Sequence, residues 1–291
     1  MPKRVVLSLD GGGIRGVYQS YILDKLRASG IKFDLIVGVS AGALNGILYT
    51  QQKAKCLEVF SHENNEKICD KSLFDKIFNK VQPCPIYDIA GKKDVIVKYT
   101  KFAKLGQLPT PTAIVTYDVN GRYPRVFKSW IDTEDSTIDV ALATSAVPVY
   151  YPAHNYKGRW YVDGGVAMNN PSMLAYALGK EMFPEDEIFL LSIGTGDCPD
   201  IDMGSKDLSK WGSIQWVTGG LFQLFTNSPS QYSDEVCQIL IGKERYLRLE
   251  DDTIGEIETD DSSKGSYDRV ISAAERTWSM NSEQILQFVR K

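Results

Sequence analysis

Histidine is scarce in this sequence. Only His62 and His154 occur among 291 residues, and each lies in a polar or turn-like stretch, so neither is expected to serve as a catalytic base and a Ser-His-Asp triad is hard to assemble. Long apolar runs are also missing, and none approaches the roughly 20 residues that span a bilayer. The five cysteines (Cys56, Cys69, Cys84, Cys198 and Cys237) are an odd number and form no CxxC pair. With so few histidines to join them, neither a disulfide framework nor a zinc site is expected, and reduced structural thiols are. Positive charge is not in excess: the formal net charge is -4, with no arginine stripe, so no nucleic-acid polymer is expected as a partner. The opening residues 1–4 run into a short apolar stretch, 5–9, that lacks the length of a secretory leader. A cytoplasmic protein is expected, with peripheral contact at a membrane surface as its furthest reach toward lipid.

What remains is a chain able to bury a large core, 43% hydrophobic and 24% charged. Strand-like residues 5–9 and 35–39 alternate with helix-like residues 18–28 and 41–52, an order that argues for βαβ units and a mainly parallel sheet. Residues 112–117 and 188–193 read as further buried strands, and 137–144, 171–178 and 267–278 as helices. There is no internal repeat, low-complexity tract or linker, so one large domain is expected, and 197–209 reads as a polar loop. The acidic stretch 250–261 lacks the spacing of a calcium loop and reads as a solvated surface loop.

Three glycine-framed motifs carry the chemistry. Gly38-Val39-Ser40-Ala41-Gly42 follows one apolar strand and opens a helix, the context a sharp strand-to-helix turn needs to present a nucleophilic hydroxyl. Asp10-Gly11-Gly12-Gly13-Ile14-Arg15-Gly16 follows the first strand and reads as an oxyanion-binding turn. Its Gly11, Gly13 and Gly16 also satisfy the dinucleotide fingerprint GxGxxG. That alternative needs an acidic residue closing the second strand, whereas Asp34 begins it. Serine needs a base, and Asp163 in Val162-Asp163-Gly164-Gly165 is the better candidate, an aspartate closing a short apolar strand before two uncrowding glycines. An ordinary Asp-Gly turn is the bland reading there.

Taken together, in order and surroundings, these motifs resemble the patatin-like phospholipase family. The resemblance covers residues 5–178 and includes Ser145-Ala146-Val147-Pro148, Tyr150-Tyr151-Pro152, and Asn169-Asn170-Pro171 after the Asp-Gly-Gly; Ile193-Gly194-Thr195-Gly196 adds to it, and beyond about residue 209 it fades. It implies a three-layer α/β/α sandwich with a mainly parallel central sheet, and a Ser-Asp dyad without catalytic histidine, metal or cofactor. Carried across, Ser40 is the nucleophile and Asp163 the base, Gly11, Gly12 and Gly13 with Arg15 form the oxyanion site, and Gly38, Gly42, Gly164 and Gly165 support the turns. The implied activity is lipid acyl hydrolysis on phospholipid or another acyl-ester lipid. The alternative is a catalytically silent or partner-activated binding or effector protein of the same fold. Residues 5–178 would form the catalytic core and 179–291 the rest of the same globular domain, as a lid or regulatory surface. Residues 211–225 read as an uncharged helix packed in the core or at a subunit contact, or else capping an acyl site or dipping into a membrane interface, and 93–105 as an amphipathic basic helix with a solvated or lipid-facing lysine side.

Overall fold

In the computed structural model, residues 1–69, 85–196, 209, 211–212 and 221–290 are described. Strands β1 (Lys3–Leu9) and β2 (Leu35–Val39) are apolar almost throughout because both of their faces are covered, as in parallel sheets generally. Along β1 the pleat sends Val5, Leu7 and Leu9 to one face and Val6 to the other. The first face packs on α1 (Gly16–Ala28), α2 (Ala41–Gln51) and a long C-terminal helix, Lys264–Val289. The second packs on α7 (Ser172–Met182), with α8 (Leu221–Ile241) outside it. Numbered in chain order with α3 (Cys56–Val59), α4 (His62–Ile68), α5 (Ile89–Tyr99) and α6 (Thr137–Thr144), the long C-terminal helix is α9.

The remaining strands are β3 (Thr112–Asp118), β4 (Tyr123–Lys128), β5 (His154–Tyr156), β6 (Arg159–Asp163), β7 (Glu187–Ile193) and β8 (Tyr246–Leu249). The eight-stranded sheet runs β5-β6-β3-β2-β1-β7-β8, with β4 also paired to β3. Strands β3, β2, β1, β7 and β8 are parallel, whereas β4, β5 and β6 make antiparallel pairs. The result is the three-layer α/β/α sandwich. The carboxyl ends of β1, β2 and β7 lie side by side, the usual place for a site in an open α/β sheet.

Several local expectations need correction. Strand β4 has no counterpart in the sequence reading, because Pro124 and the charged residues around it hide an edge strand, where proline is tolerated. Instead of spanning 93–105, the basic helix is Ile89–Tyr99. Beyond Thr100 the side chain of Gln51 takes the backbone N–H groups of Lys101 and Phe102, and Leu105–Gln107 forms a separate 3-10 turn. Helix α9 is far longer than 267–278, since its N-cap Ser263 and the buried residues Val270, Ala274, Ile285 and Val289 extend one continuous face. Stretch 250–261 is not a purely solvated loop: Ile254 and Ile257 are buried in the main core. The uncharged segment 211–225 lies outside the described residues, apart from Trp211, Gly212 and the helical backbone from Leu221, and so does 197–209 apart from Ser209.

Candidate active site

Ser40 follows β2 directly and caps α2 with φ 52° and ψ -125°, a conformation a non-glycine residue adopts only under constraint. The constraint is visible. Its N–H donates to Thr144 Oγ1 at 2.9 Å, that hydroxyl donates to the Val115 carbonyl, and the Ser40 carbonyl accepts from Leu44 N–H. One residue past Ala41 the chain runs so close to β1 that a Cβ on Gly42 would sit 2.3 Å from the Leu9 carbonyl oxygen. Gly38 packs as closely beneath Ala43.

Strand β3 brings the second group in. Consecutive β3 residues pair with the two strands that end at the site, Val115 with Val39 and Thr116 with Asp163. Ser40 and Asp163, 123 positions apart in the chain, therefore meet: Ser40 Oγ donates to Asp163 Oδ2 at 2.6 Å. Gly165 N–H donates to Asp163 Oδ1 at 2.7 Å, and Asp163 N–H donates to the Ala146 carbonyl at 2.9 Å. Gly164 lets the chain turn against the sheet, where a Cβ would meet the Val115 carbonyl at 2.2 Å. Burial pushes the Asp163 carboxyl up to about 6, against the opposing pull of the Ser40 hydroxyl, the Gly165 amide and the Lys92 charge.

The glycine turn after β1 is fixed from several sides. Gly11 N–H donates to the Asn169 carbonyl, and the Gly11 carbonyl accepts from Thr195 Oγ1 at 2.6 Å. Gly12 and Gly13 line the cavity beside Ser40, and among the described residues neither amide is recorded donating to an acceptor. The Gly11 amide is thus already engaged. Arg15 is buried, and its Nη1 donates to the Gly196 carbonyl at 3.1 Å and more weakly to that of Gly255. Ahead of the turn, Asp10 Oδ2 accepts from Arg248 Nη2 at 2.8 Å.

All of this surrounds a cavity of about 390 Å³. Leu44, Phe60, Ile68, Val147 and Tyr150 give it apolar walls, and Ser40 and Asp163 sit among them. A smaller apolar pocket of about 30 Å³ shares Leu44, Phe60 and Ile68 with it. Residues 255–260 supply a further wall, tied down where Ile14 N–H donates to the Thr259 carbonyl.

The family model of the patatin-like phospholipases matches residues 7–176, more than half of the chain and all three glycine-framed motifs. The chain belongs to the patatin-like phospholipase family. It is thereby a lipid acyl hydrolase by family. It is 29% identical to Patatin-like protein 2 of Arabidopsis thaliana, over 86% of this chain and 76% of that protein. With Patatin-04/09 of Solanum tuberosum the identity is 27%, over 93% of this chain and 82% of the relative. In fold, the chain is similar to human GIVD cytosolic phospholipase A2, solved in complex with methyl gamma-linolenyl fluorophosphonate. The TM-score there is 0.51 at 9% identity, covering 99% of this chain and 58% of that one.

In this patatin-like phospholipase neither histidine lines the cavity: His62 approaches Glu66, and His154 Nε2 lies 3.1 Å from Asp139. Asp34 closes no ribose site. It accepts from Val5 N–H at the amino end of β2, the far end of the strand from Ser40. Cys56, Cys69 and Cys237 are free thiols; burial pushes Cys56 and Cys237 up to about 12 and Cys69 up to about 11. Among the described residues no helix is long and apolar enough to cross a membrane.

Two parts of the site escaped the sequence reading. One is the wall at 255–260, hidden by its acidic composition; the signal was Ile257 within it and Ile254 just before it. The other is Lys92, buried on α5 with Val95, Ile96 and Tyr99. Its place on that apolar stripe, at the spacing i, i+3, i+4, i+7, was readable as an inward-facing cation.

Proposed function

We propose that this chain cleaves carboxylic esters of lipids, phospholipid foremost, through a Ser40–Asp163 dyad and an acyl-enzyme. The observation that carries the reading is the 2.6 Å hydrogen bond from Ser40 Oγ to Asp163 Oδ2 inside a largely apolar cavity of about 390 Å³. An aspartate at its ordinary value is a weak base toward serine, whereas one raised to about 6 is better matched to proton transfer near neutral pH. Ser40 Oγ attacks the ester carbonyl as Asp163 takes its proton, and the amides of Gly12 and Gly13 stabilise the oxyanion. Loss of one such donor costs roughly 3 to 4 kcal/mol of barrier. The ester C–O bond then breaks, with the proton passing from Asp163 to the departing alcohol. Water attacks the acyl-enzyme with Asp163 again as base, releasing the fatty acid and restoring Ser40.

The acyl chain runs along Leu44, Phe60 and Ile68 toward the smaller pocket that these residues also line. Arg15 serves the oxyanion turn indirectly, by holding the carbonyls of Gly196 and Gly255 behind it. Residues 179–291 belong to the same globular unit as 5–178, since 255–260 complete the cavity. Free thiols at Cys56, Cys69 and Cys237 suit a reducing cytoplasm. The test is p-nitrophenol release from a medium-chain ester beside fatty-acid release from phospholipid vesicles, for wild type and Ser40→Ala. Turnover on both substrates, lost in the alanine variant, is expected; turnover that survives Ser40→Ala in a folded protein sinks the reading.

A further inference from the structure

Lys92 is almost completely buried, and its Nζ donates to the Ser145 carbonyl at 2.6 Å while lying 2.9 Å from the centroid of the Tyr151 ring. Ser145 and Ala146 follow α6, and the Ala146 carbonyl is the acceptor of Asp163 N–H. A single short segment is therefore held by Lys92 on one side and holds Asp163 on the other. Lys92 also lines the same cavity as Ser40 and Asp163. Burying an ammonium is costly, and one carbonyl with an aromatic face compensates it only in part.

We propose that Lys92 is a positioning residue for the dyad, fixing the Ser145–Ala146 segment that seats Asp163 and keeping the Asp163 carboxylate charged and ready to accept the Ser40 proton. The inference rests on the dyad reading above. Burial lowers Lys92 to about 7, and the Asp163 charge works in the opposite direction. Reciprocally, the Lys92 charge is one of the influences that restrain the rise of Asp163. The other titratable groups facing Lys92 are Cys69 at the end of α4 and Tyr151 after α6. Both are held protonated by burial, Cys69 at about 11 and Tyr151 well above the phenol range. Farther round the cavity Asp260 accepts from the Tyr87 hydroxyl at 2.5 Å. The cation and Asp163 thus form the one oppositely charged pair acting across this part of the cavity among the described residues.

The sign of the effect follows. Below about pH 7 Lys92 is charged and favours ionised Asp163; removing that charge moves the acid limb of activity to higher pH. Above it Lys92 is itself neutral, so wild type and a neutral variant converge. The experiment is the rate of Ser40 labelling by a fluorophosphonate from pH 5 to 9, using the full chain as wild type, Lys92→Met, Lys92→Arg and Asp163→Asn. For Lys92→Met the acid limb is expected to rise by about one unit, which is about fivefold slower labelling at pH 6, about tenfold slower at pH 5 and little change at pH 9. Lys92→Arg, which keeps the charge, should leave the limb at or below its wild-type position. A limb unmoved in Lys92→Met, or a loss equal at pH 6 and pH 9, overturns the proposal. Should Lys92→Met not fold, an upward-moved limb in Lys92→Arg overturns it instead. Wild-type labelling in Asp163→Asn, with the same pH dependence, would bring down the dyad reading itself; pH dependence lost there but unmoved in Lys92→Met rejects the role of Lys92 alone.

Discussion

Two strands of this molecule lead into the same tripeptide, Asp-Gly-Gly, and the two aspartates live under opposite conditions. Asp10, the residue after β1, is 2% exposed and faces the guanidinium of Arg248 at 2.8 Å, which also donates to Glu250 and to Ser192 Oγ. Asp163, closing β6, is 4% exposed and touches a hydroxyl and a backbone amide instead of a cation. The first carboxylate is neutralised in place and anchors the glycine turn to β8. The second is left short of compensation, and burial raises its affinity for a proton. Identical local sequence thus yields a paired strut in one place and a carboxyl with a raised proton affinity in the other, and the difference lies in what the tertiary fold delivers to each.

The sharpest way to break the comparison is to neutralise each member. Asp163→Asn keeps the shape of the side chain and removes the base, so ester turnover should fall roughly 10²- to 10⁴-fold with the circular dichroism spectrum unchanged. Undiminished turnover would mean that Asp163 is merely structural. Arg248→Met should act on stability instead. It takes the guanidinium away from buried Asp10 and half-buried Glu250, at about 3 to 5 kcal/mol in urea unfolding, and adding Asp10→Asn should recover part of the loss. A midpoint unmoved by Arg248→Met would make the cluster an incidental contact.

The smallest effect separates the two aspartates by pH. Asp163 has a folded value of about 6 against an ordinary value near 4, so its stabilising contribution is fully present below about pH 4 and is lost as pH rises through 6. Asparagine has no such dependence. Asp163→Asn should therefore be more stable than wild type above pH 6, by about 1 to 3 kcal/mol, and lose that advantage toward pH 4. An advantage that grows toward acid pH would contradict the raised value.

The turns at Ser40 and Asp163 were legible in the sequence because each rests on short-range pattern: a strand, then small residues in a tight turn. Ser40 and Asp163 carry their local context with them. The contact between them is another matter, since it depends on the register of β3 against both Val39 and Asp163, and pairing registers leave no local mark. Lys92 was hidden by its neighbours, because Lys93 and Lys98 are exposed on the same short helix and composition averages over faces. The wall at 255–260 was hidden by Glu256, Glu258 and Asp260, whose charge speaks of water while the isoleucines beside them go inward. Strand β4 was missed for a related reason: its partner β3 supplies the buried side, and an edge strand with a proline has little periodicity of its own.

The hold of residues 255–260 on Ile14 and Arg15 also bears on the birth of the protein. As a nascent chain leaves the ribosome, both dyad residues emerge well before the stretch that closes the cavity around them. A half-made chain would have a serine and an aspartate but no enclosed place for a fatty acyl group. The wall is thus a late addition to a place whose serine and aspartate are already made.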